Sequence, residues 1–295
     1  SISLVVSIKG VLLMEKPIRV LHVFNRLDRG GAETMVMNLY RNINRTNVQF
    51  DFVVHTDKEG DFELEIKELG GRIFCVPAFN GLNIISYRKA WKELLELHSE
   101  FKILHSHVRS TASLYIPIAK KNGITTIIHS HSTHSGKGIK ALMKNILQFP
   151  LRYQADYRLG CSKAANKWLY GEKRGAKSIV LPNAINVEKF QYSERKRVMI
   201  RKDFGIKNEV VWGHVGRFHA VKNHQFLIEV FKEYQSINPN SLLMLVGDGE
   251  LRKSIEEQVK QYQLQDKVIF TGVRDDVDEL LQGMDLFLLP SLFEG

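Results

Sequence analysis

Cysteine and long apolar runs are both scarce, and this limits what the chain can be. Its two cysteines, Cys75 and Cys161, are too few for a disulfide framework and fit the reducing conditions of a cytoplasm. No stretch is apolar over the length that a membrane-spanning helix requires. The apolar segment 1–13 is short and contains Lys9, and Met14 follows it. We therefore expect 1–13 to be extraneous sequence upstream of the natural start.

Acidic residues are outnumbered by basic ones, 32 against 42, which gives a formal charge of +10. The excess is concentrated in 136–178, where ten Lys or Arg accompany only two acidic residues. Such a basic region predicts an anionic partner, either a membrane, a nucleic acid or a phosphorylated substrate. We expect no nucleic acid, because aromatic side chains do not interleave with the basic ones as they do in single-strand binding platforms.

Strand-like and helix-like segments alternate along the rest of the chain. Their spacing predicts parallel sheets with helices on both faces, which is an α/β fold. The length of 295 residues, 44% of them hydrophobic, suits two such domains. A polar, charged stretch between 186 and 210 puts the expected boundary just before it. The expected domains are therefore 1–176 and 177–295.

A strand, a cationic loop, a helix, a second strand and a glycine turn follow one another from 210 to 249. Arg217 and Lys222 come just after the first strand, and open α/β sheets bind ligands beyond the carboxyl ends of their strands. A guanidinium and an ammonium beside a helix N-terminus suit a diphosphate, whereas the bland alternative is two solvated surface charges. The helix is predicted to turn one apolar face inward, formed by Phe226, Leu227, Val230, Phe231 and Tyr234.

Histidines cluster after two other predicted strands, as His105 and His107 and again as His129, His131 and His134. An imidazole at the carboxyl end of a strand can act as an acid or base near neutral pH. A His-x-His pair on a strand also turns both rings to one side, as a metal site requires. Three roles therefore stay open: catalysis or substrate binding, hydrogen bonding to loop backbone, and metal binding.

The pair Gly30-Gly31 falls at a predicted strand-to-helix turn. Glycine there lets the backbone approach a ligand and directs free N–H groups towards it. The pair is a weak signal by itself, because most Gly-Gly pairs are only turns.

A basic amphipathic helix is predicted within 137–152, and Pro150 ends its pattern. Lys140 and Lys144 lie off its apolar stripe, which consists of Ile139, Leu142, Met143, Ile146 and Leu147. Such a helix can lie on an anionic membrane surface, or it can bury its stripe in the core of the domain.

Read together, several motifs resemble those of the retaining glycosyltransferases of the GT-B fold, family 4, of the kind that assemble bacterial exopolysaccharide and capsule. The resemblance covers 18–295 and rests on Gly30-Gly31-Ala32-Glu33, His129-Ser130-His131, Leu181-Pro182-Asn183, Gly216-Arg217 with Lys222, Gly247-Asp248-Gly249 and Pro290-Ser291-Leu292-Phe293-Glu294-Gly295. It implies two doubly wound, Rossmann-like domains, the first on the acceptor side. The second would bind a nucleotide-diphospho-sugar and be incomplete, because the family's second E-x7-E glutamate would lie beyond Gly295.

The resemblance also implies roles for individual residues. The histidine at the family's active-site position would be His131, near the transferred sugar, with His129 as the second candidate. The family's donor-binding positions fall on Gly30, Gly31, Arg217, Lys222, Val273, Arg274 and Glu294. Within that set Arg217 and Lys222 would neutralise the diphosphate, Glu294 would contact sugar hydroxyls, and the turn with Val273 and Arg274 would line the base pocket.

By the same resemblance, the donor would be a UDP-sugar and the acceptor a lipid-linked glycan. No metal or other cofactor would be needed, because the two cations take the place of a metal. The enzyme would work in the cytoplasm, on the inner face of the cell membrane. Three alternatives remain: a sugar-nucleotide epimerase on the same frame, a metal-dependent hydrolase built on the His-x-His pairs, and a non-catalytic module that binds anionic surfaces.

Overall fold

The structure is a computed structural model that describes residues 7–8, 11–12, 16–136 and 138–293. The chain divides into two compact units, with the division after Ile185. Within the first unit and ahead of its main sheet, β1 (Ser7–Ile8) and β2 (Val11–Leu12) pair antiparallel. Each unit proper is built on a parallel sheet, as the alternation of segments predicts.

Seven parallel strands form the sheet of the first unit. They are β3 (Ile18–Val23), β4 (Val48–Val54), β5 (Ile73–Cys75), β6 (Phe101–Ser106), β7 (Thr125–Ser130), β8 (Tyr157–Gly160) and β9 (Ile179–Val180). Across the sheet their order is β5-β4-β3-β6-β7-β8-β9. The helices are α1 (Gly31–Asn42), α2 (Glu63–Glu68), α3 (Ile84–Leu97), α4 (Ala112–Lys121), α5 (Gly138–Gln148), α6 (Leu151–Gln154), α7 (Lys163–Tyr170) and α8 (Glu172–Gly175).

Both faces of the first sheet are covered by apolar packing. The neighbouring residues Val20 and Leu21 of β3 belong to two different buried clusters, because successive side chains of a strand point to opposite faces. One cluster contains Trp91 of α3, and the other contains Tyr40 of α1. The strands are therefore nearly continuous apolar runs, as is typical of parallel sheets.

One buried carboxylate ties three segments of the first unit together. Asp51 of β4 is fully buried and accepts from Arg19 Nη2 at 2.6 Å and from Arg72 Nη2 at 2.9 Å. Burial by itself raises the pKa of Asp51, but hydrogen bonds from Arg19 and Arg72 outweigh it and hold the pKa below its usual value.

The second unit has a four-stranded parallel sheet in the order β12-β11-β10-β13. Its strands are β10 (Val210–Val215), β11 (Ser241–Val246), β12 (Val268–Gly272) and β13 (Leu286–Phe287). Its α-helices are α9 (Glu194–Asp203), α10 (His224–Ile237), α11 (Arg252–Gln261) and α12 (Val277–Gly283), and Val187–Phe190 and Ala220–Lys222 are 3₁₀ turns. Among the described residues, no helix combines the length and apolar character needed to cross a membrane.

The boundary between the two units lies further along the chain than the sequence predicts, because strand β9 belongs to the first unit. The expected boundary at 176/177 precedes β9, but β9 pairs with β8 and so completes the first sheet. The first unit accordingly continues to Ile185. The polar stretch after it is not a bare linker, since α9 forms there with Ile200 as its buried residue.

The inward face of α10 differs from the expected one. Leu227 and Phe231 are buried as predicted, whereas Phe226 and Val230 are exposed. Ile228 is buried in their place. The buried face of α10 is therefore rotated by about one residue from the predicted stripe, because the helix packs against the sheet through Leu227, Ile228 and Phe231.

Candidate functional site

Four loops meet at the carboxyl edge of the second sheet, because all four strands run in the same direction. They are 216–223 after β10, 247–249 after β11, the turn that begins at Gly272, and 288–293 after β13. Leu292 N–H donates to the Val221 carbonyl at 2.9 Å, and Asn223 Nδ2 donates to the Pro290 carbonyl at 3.3 Å. The loop that carries Arg217 and Lys222 is thus hydrogen-bonded to segment 288–293.

Glycines 247 and 249 let two of these loops pack backbone against backbone. Gly247 has φ 132°, and a Cβ there would lie 2.2 Å from the Gly216 carbonyl oxygen. A Cβ on Gly249 would lie 2.6 Å from the carbonyl oxygen of Phe218. Only glycine fits at such a close approach, so the Gly-Asp-Gly motif fixes the shape of the loop that carries Arg217.

Arg217 and Lys222 lie on this loop at the carboxyl end of β10, where the sequence put them. The Arg217 side chain is about two-thirds exposed, and its Nη2 lies 3.6 Å from Oε2 of Glu250. The stem of Lys222 packs over Gly216, since a Cβ on Gly216 would lie 3.4 Å from Lys222 Cδ. The Arg217 side chain therefore extends from the edge of the sheet into solvent, whereas Lys222 is half-buried against that edge.

Two further residues predicted to bind the donor, Val273 and Arg274, lie on the same edge of the second sheet but differ in their contacts. Val273 is exposed in the turn that follows Gly272. Arg274 donates from Nε and Nη2 to both carboxylate oxygens of Asp276, at 2.8 and 2.6 Å. Arg274 is thus engaged by its own turn. Glu294 lies outside the described residues.

Five histidines of the first unit form one cluster at the carboxyl ends of three adjacent strands, β3, β6 and β7. This histidine cluster consists of His22, His105, His107, His129 and His131. His107 Nδ1 lies 2.8 Å from His131 Nε2, and His107 Nε2 lies 3.1 Å from His22 Nδ1. The three rings therefore form a hydrogen-bonded row that ends at His131, and the tautomer of each fixes that of the next.

Burial keeps the whole cluster neutral at physiological pH. It lowers the pKa of His22 to about 3, helped by His129 and opposed by Asp51. It lowers the pKa of His131 to about 3, with His129 and Arg109 adding to the shift, and that of His129 to about 4. Burial likewise places the pKa of His105 and of His107 well below the usual value.

The cluster also has the nitrogen spacing of a metal site. The sets His22, His105, His107 and His107, His129, His131 each offer ligand atoms within 4.8 Å of one another. In both sets His107 uses its ring nitrogens for hydrogen bonds to other histidines. The same ring nitrogens therefore suit either a row of hydrogen bonds or a set of metal ligands.

Gly30 and Gly31 begin α1, as predicted, with Gly30 as the N-cap residue. The Gly30 N–H donates to the Asp28 carbonyl at 2.8 Å, so this group is already used. A Cβ on Gly30 would lie 2.3 Å from Glu33 Oε2, which shows that the Glu33 carboxylate folds back over the turn. Burial, with a smaller contribution from Asp28, raises the pKa of Glu33 to about 7.

Several residues at these edges had no individual prediction. His22 lies within an apolar strand, and its spacing gave no signal. Glu33 belongs to the Gly30-Gly31-Ala32-Glu33 motif but has no separate predicted role, and Glu250, which pairs with Arg217, has no sequence prediction. Arg109 follows β6 and places its guanidinium 4.6 Å from the ring of Trp168. A charged residue just after a predicted parallel strand was the available signal for Arg109.

Two family models match the chain. The model described as Glycosyltransferase Family 4 matches residues 29–189, and that described as Glycosyl transferases group 1 matches residues 197–295. The chain belongs to glycosyltransferase family 4. It is therefore a glycosyltransferase, and the comparisons support neither an epimerase nor a metal-dependent hydrolase.

Curated relatives of this glycosyltransferase cover most of its length. It is 33% identical to the glycosyltransferase EpsF of Bacillus subtilis (strain 168), over 94% of this chain and 74% of the relative. It is 28% identical to the UDP-Gal:alpha-D-GlcNAc-diphosphoundecaprenol alpha-1,3-galactosyltransferase of Escherichia coli, over 90% of this chain and 74% of the relative.

The structure is also similar to a solved one, that of Anabaena Alr3699/HepE in complex with UDP and glucose. The TM-score is 0.77 at 18% identity, and the match covers 93% of this chain and 74% of that one. The likeness confirms the GT-B type of α/β fold, with a parallel sheet and covering helices in each unit.

Proposed function

We propose that this glycosyltransferase moves a sugar from a UDP-sugar to a lipid-linked glycan acceptor in polysaccharide biosynthesis, with retention of anomeric configuration, at the cytoplasmic face of the membrane. The observation that carries the proposal is the carboxyl edge of the second sheet, where Arg217 and Lys222 share a loop held by glycines. The printed names of the relatives support it, since one uses UDP-Gal with a diphosphoundecaprenol acceptor and the Anabaena structure contains UDP.

In this proposal the two cations act on the leaving group. As the bond between sugar and diphosphate breaks, negative charge grows on the phosphate oxygens. Arg217 and Lys222 stabilise that charge, and removing one such donor costs about 10²–10³ in rate at comparable sites. Glu294 contacts sugar hydroxyls, Val273 and Arg274 line the base pocket, and Gly31 offers its N–H at the start of α1. No metal takes part in transfer.

His131 then has the role of a neutral hydrogen-bonding group beside the transferred sugar, with His129 as the second candidate. Its lowered pKa, about 3, excludes a cationic imidazole near pH 7. A neutral ring next to an oxocarbenium-like centre avoids charge repulsion while it donates or accepts one hydrogen bond.

Transfer from labelled UDP-, GDP- and ADP-sugars to a diphosphate-linked saccharide acceptor tests the proposal. We expect product with the UDP-sugar, and NMR of the new linkage should show the anomeric configuration of the donor. Incubation with the donor alone should leave the sugar unchanged. An inverted linkage would overturn retention, and sugar conversion without acceptor would revive the epimerase.

The acceptor is proposed to be reached through peripheral membrane contact at 137–152. Four of the five residues of the predicted stripe of α5, Ile139, Leu142, Met143 and Ile146, are at least 51% exposed. The fifth, Leu147, is half-buried and packs against the core. Lys140 and Lys144 on the same helix are exposed, and Lys137 lies outside the described residues. Exposed apolar side chains beside lysines are typical of helices that lie in an anionic membrane interface.

Co-sedimentation with vesicles tests this contact. Ile146→Glu should reduce binding to phosphatidylglycerol vesicles at low salt, because it places a negative charge in the apolar stripe. Leu97→Glu is the matched control, since Leu97 is an exposed leucine on α3. Equal sedimentation of both variants with the unmodified protein would contradict the assignment.

A further inference from the structure

Arg109 has no counter-charge among the described residues, and it lies at the carboxyl edge of the first sheet. It lies between the end of β6 and the start of α4. The loop that follows β7 reaches it through the carbonyl of His134, and Cys161, which follows β8, is part of its electrostatic surroundings. The carboxyl ends of three adjacent parallel strands therefore surround the guanidinium, at the edge where α/β sheets bind ligands.

The contacts of the Arg109 guanidinium orient it without neutralising it. It packs on the Trp168 ring at 4.6 Å, and Nη2 donates to the His134 carbonyl at a long 3.4 Å. Nη1 is buried and has no hydrogen-bond partner. Within the part of the chain that the structure describes, Arg109 forms no ion pair with a carboxylate.

This arrangement is costly unless an anion completes it. A guanidinium has five N–H donors, and a buried donor without a partner loses its hydration without gaining a hydrogen bond. The surrounding segment 136–178 is itself basic and offers only two acidic residues. The neighbouring imidazole of His131 is neutral, so it does not attract the same anion. The positive charge of Arg109, its position at the carboxyl edge of the sheet and its unused N–H donors all favour a phosphate as its ligand.

We propose that Arg109 binds a phosphate group of the acceptor, so that the acceptor of this glycosyltransferase is phosphorylated. The assignment of the phosphate to the acceptor rests on the proposed function. The anion site itself does not depend on that function. The planar fork suits two phosphate oxygens, and Trp168 keeps its plane fixed. The long bond to the His134 carbonyl is the contact that the phosphate replaces.

Binding of inorganic diphosphate tests the site independently of activity. The experiment uses the full chain with Arg217→Ala and Lys222→Ala, which disables the proposed donor site. Calorimetry should then still detect diphosphate binding, with a change in Trp168 fluorescence that Trp168→Phe removes. Adding Arg109→Gln should weaken the affinity at least about tenfold, because a charged hydrogen bond contributes about 1.5–3 kcal/mol.

Two further variants keep this result interpretable. Arg109→Lys preserves the charge but not the fork, so its affinity should fall between those of the parent and of Arg109→Gln. Arg174→Gln removes another guanidinium that packs on an aromatic ring, at 4.1 Å from Tyr153, and should bind like the parent. Equal affinity in the parent and Arg109→Gln, with both folded by circular dichroism, would overturn the anion site.

The source of the phosphate is decided by three probes in the same background. Geranyl diphosphate should bind at least as tightly as inorganic diphosphate and should depend on Arg109. Binding of inorganic diphosphate alone, or Arg109-dependent binding only to phosphatidylglycerol vesicles, would overturn the assignment to the acceptor. In transfer assays, which use the protein with Arg217 and Lys222 intact, Arg109→Gln should raise the KM for a diphosphate-linked acceptor and leave the donor KM unchanged. If no nucleotide sugar is used at all, the proposed function fails while the binding result still decides Arg109.

Discussion

The histidine cluster makes the stability of the first unit depend on pH in a way that one substitution can isolate. His22 is almost fully buried, and its pKa falls from 6.5 to about 3. Because the folded-state pKa is lowered, the unfolded chain takes up a proton at His22 that the folded chain refuses. Stability is therefore lost as the pH falls through 6.5 towards 3. Between about pH 7 and about pH 5 the loss from His22 is about 2 kcal/mol.

Glu33 works in the opposite direction over the same range. Its folded-state pKa is raised to about 7, so the folded chain takes up the proton first and gains stability as the pH falls. The total change in the unmodified protein thus mixes opposing contributions. The informative quantity is the difference in pH dependence between the unmodified protein and His22→Phe. Phe is chosen because the His22 ring packs against Phe50 and Phe52.

Urea unfolding at the two pH values measures this difference. Trp91 and Trp168, two of the three tryptophans, lie in the first unit and report on it by fluorescence. His22→Phe should cost about 1 kcal/mol at neutral pH through the lost hydrogen bond to His107. It should then lose about 2 kcal/mol less than the unmodified protein on acidification. Val20→Ala, which removes a buried side chain without a titratable group from the same strand, is the control and should not change the pH dependence. The same pH dependence in His22→Phe and the unmodified protein would refute the reasoning.

Three further substitutions test how the loops and sheets of the two units are stabilised. Gly247→Ala should lower the melting temperature of the second unit and weaken nucleotide binding, because its Cβ would meet the Gly216 carbonyl oxygen at 2.2 Å. Gly272→Ala, at φ 73° with no atom within 4 Å, should cost only the backbone strain of about 1–2 kcal/mol, and equal losses would contradict the loop packing. Asp51→Asn should destabilise the first unit by about 1–3 kcal/mol, since Arg19 and Arg72 lose their charged hydrogen-bond acceptor while both remain partly exposed. Urea midpoints that stay unchanged would show that this carboxylate is not a structural anchor.

The fold could be predicted from the sequence because parallel strands leave a strong pattern. Apolar runs of strand length alternate with helical periodicity, and this alternation predicts both parallel sheets. The convergence of His105 and His129 follows from the same pattern, because β6 and β7 are neighbours in sequence and in the sheet. The loop with Arg217 could also be placed, since a parallel strand leads into it.

Some elements could not be predicted because their sequences lack an apolar periodicity. Others could not because their contacts are with residues distant in the chain. The helix α9 has a single buried residue, Ile200, and therefore no apolar stripe. The helix α4 has the opposite property, since nearly all its residues are buried and Pro117 interrupts the pattern. His22 joins the cluster only through strand order, with β3 beside β6, which the local sequence around it does not show.

The central claim is that Arg217 and Lys222 bind the diphosphate of a nucleotide sugar. Calorimetric titration with UDP tests it most directly, using Arg217→Ala, Lys222→Ala and the control Lys232→Ala on the outer face of α10. The account predicts affinities about 10- to 100-fold weaker in each of the first two variants, as expected for lost charge-assisted hydrogen bonds, and unchanged in the control. UDP affinity equal to that of the unmodified protein in both loop variants would contradict it.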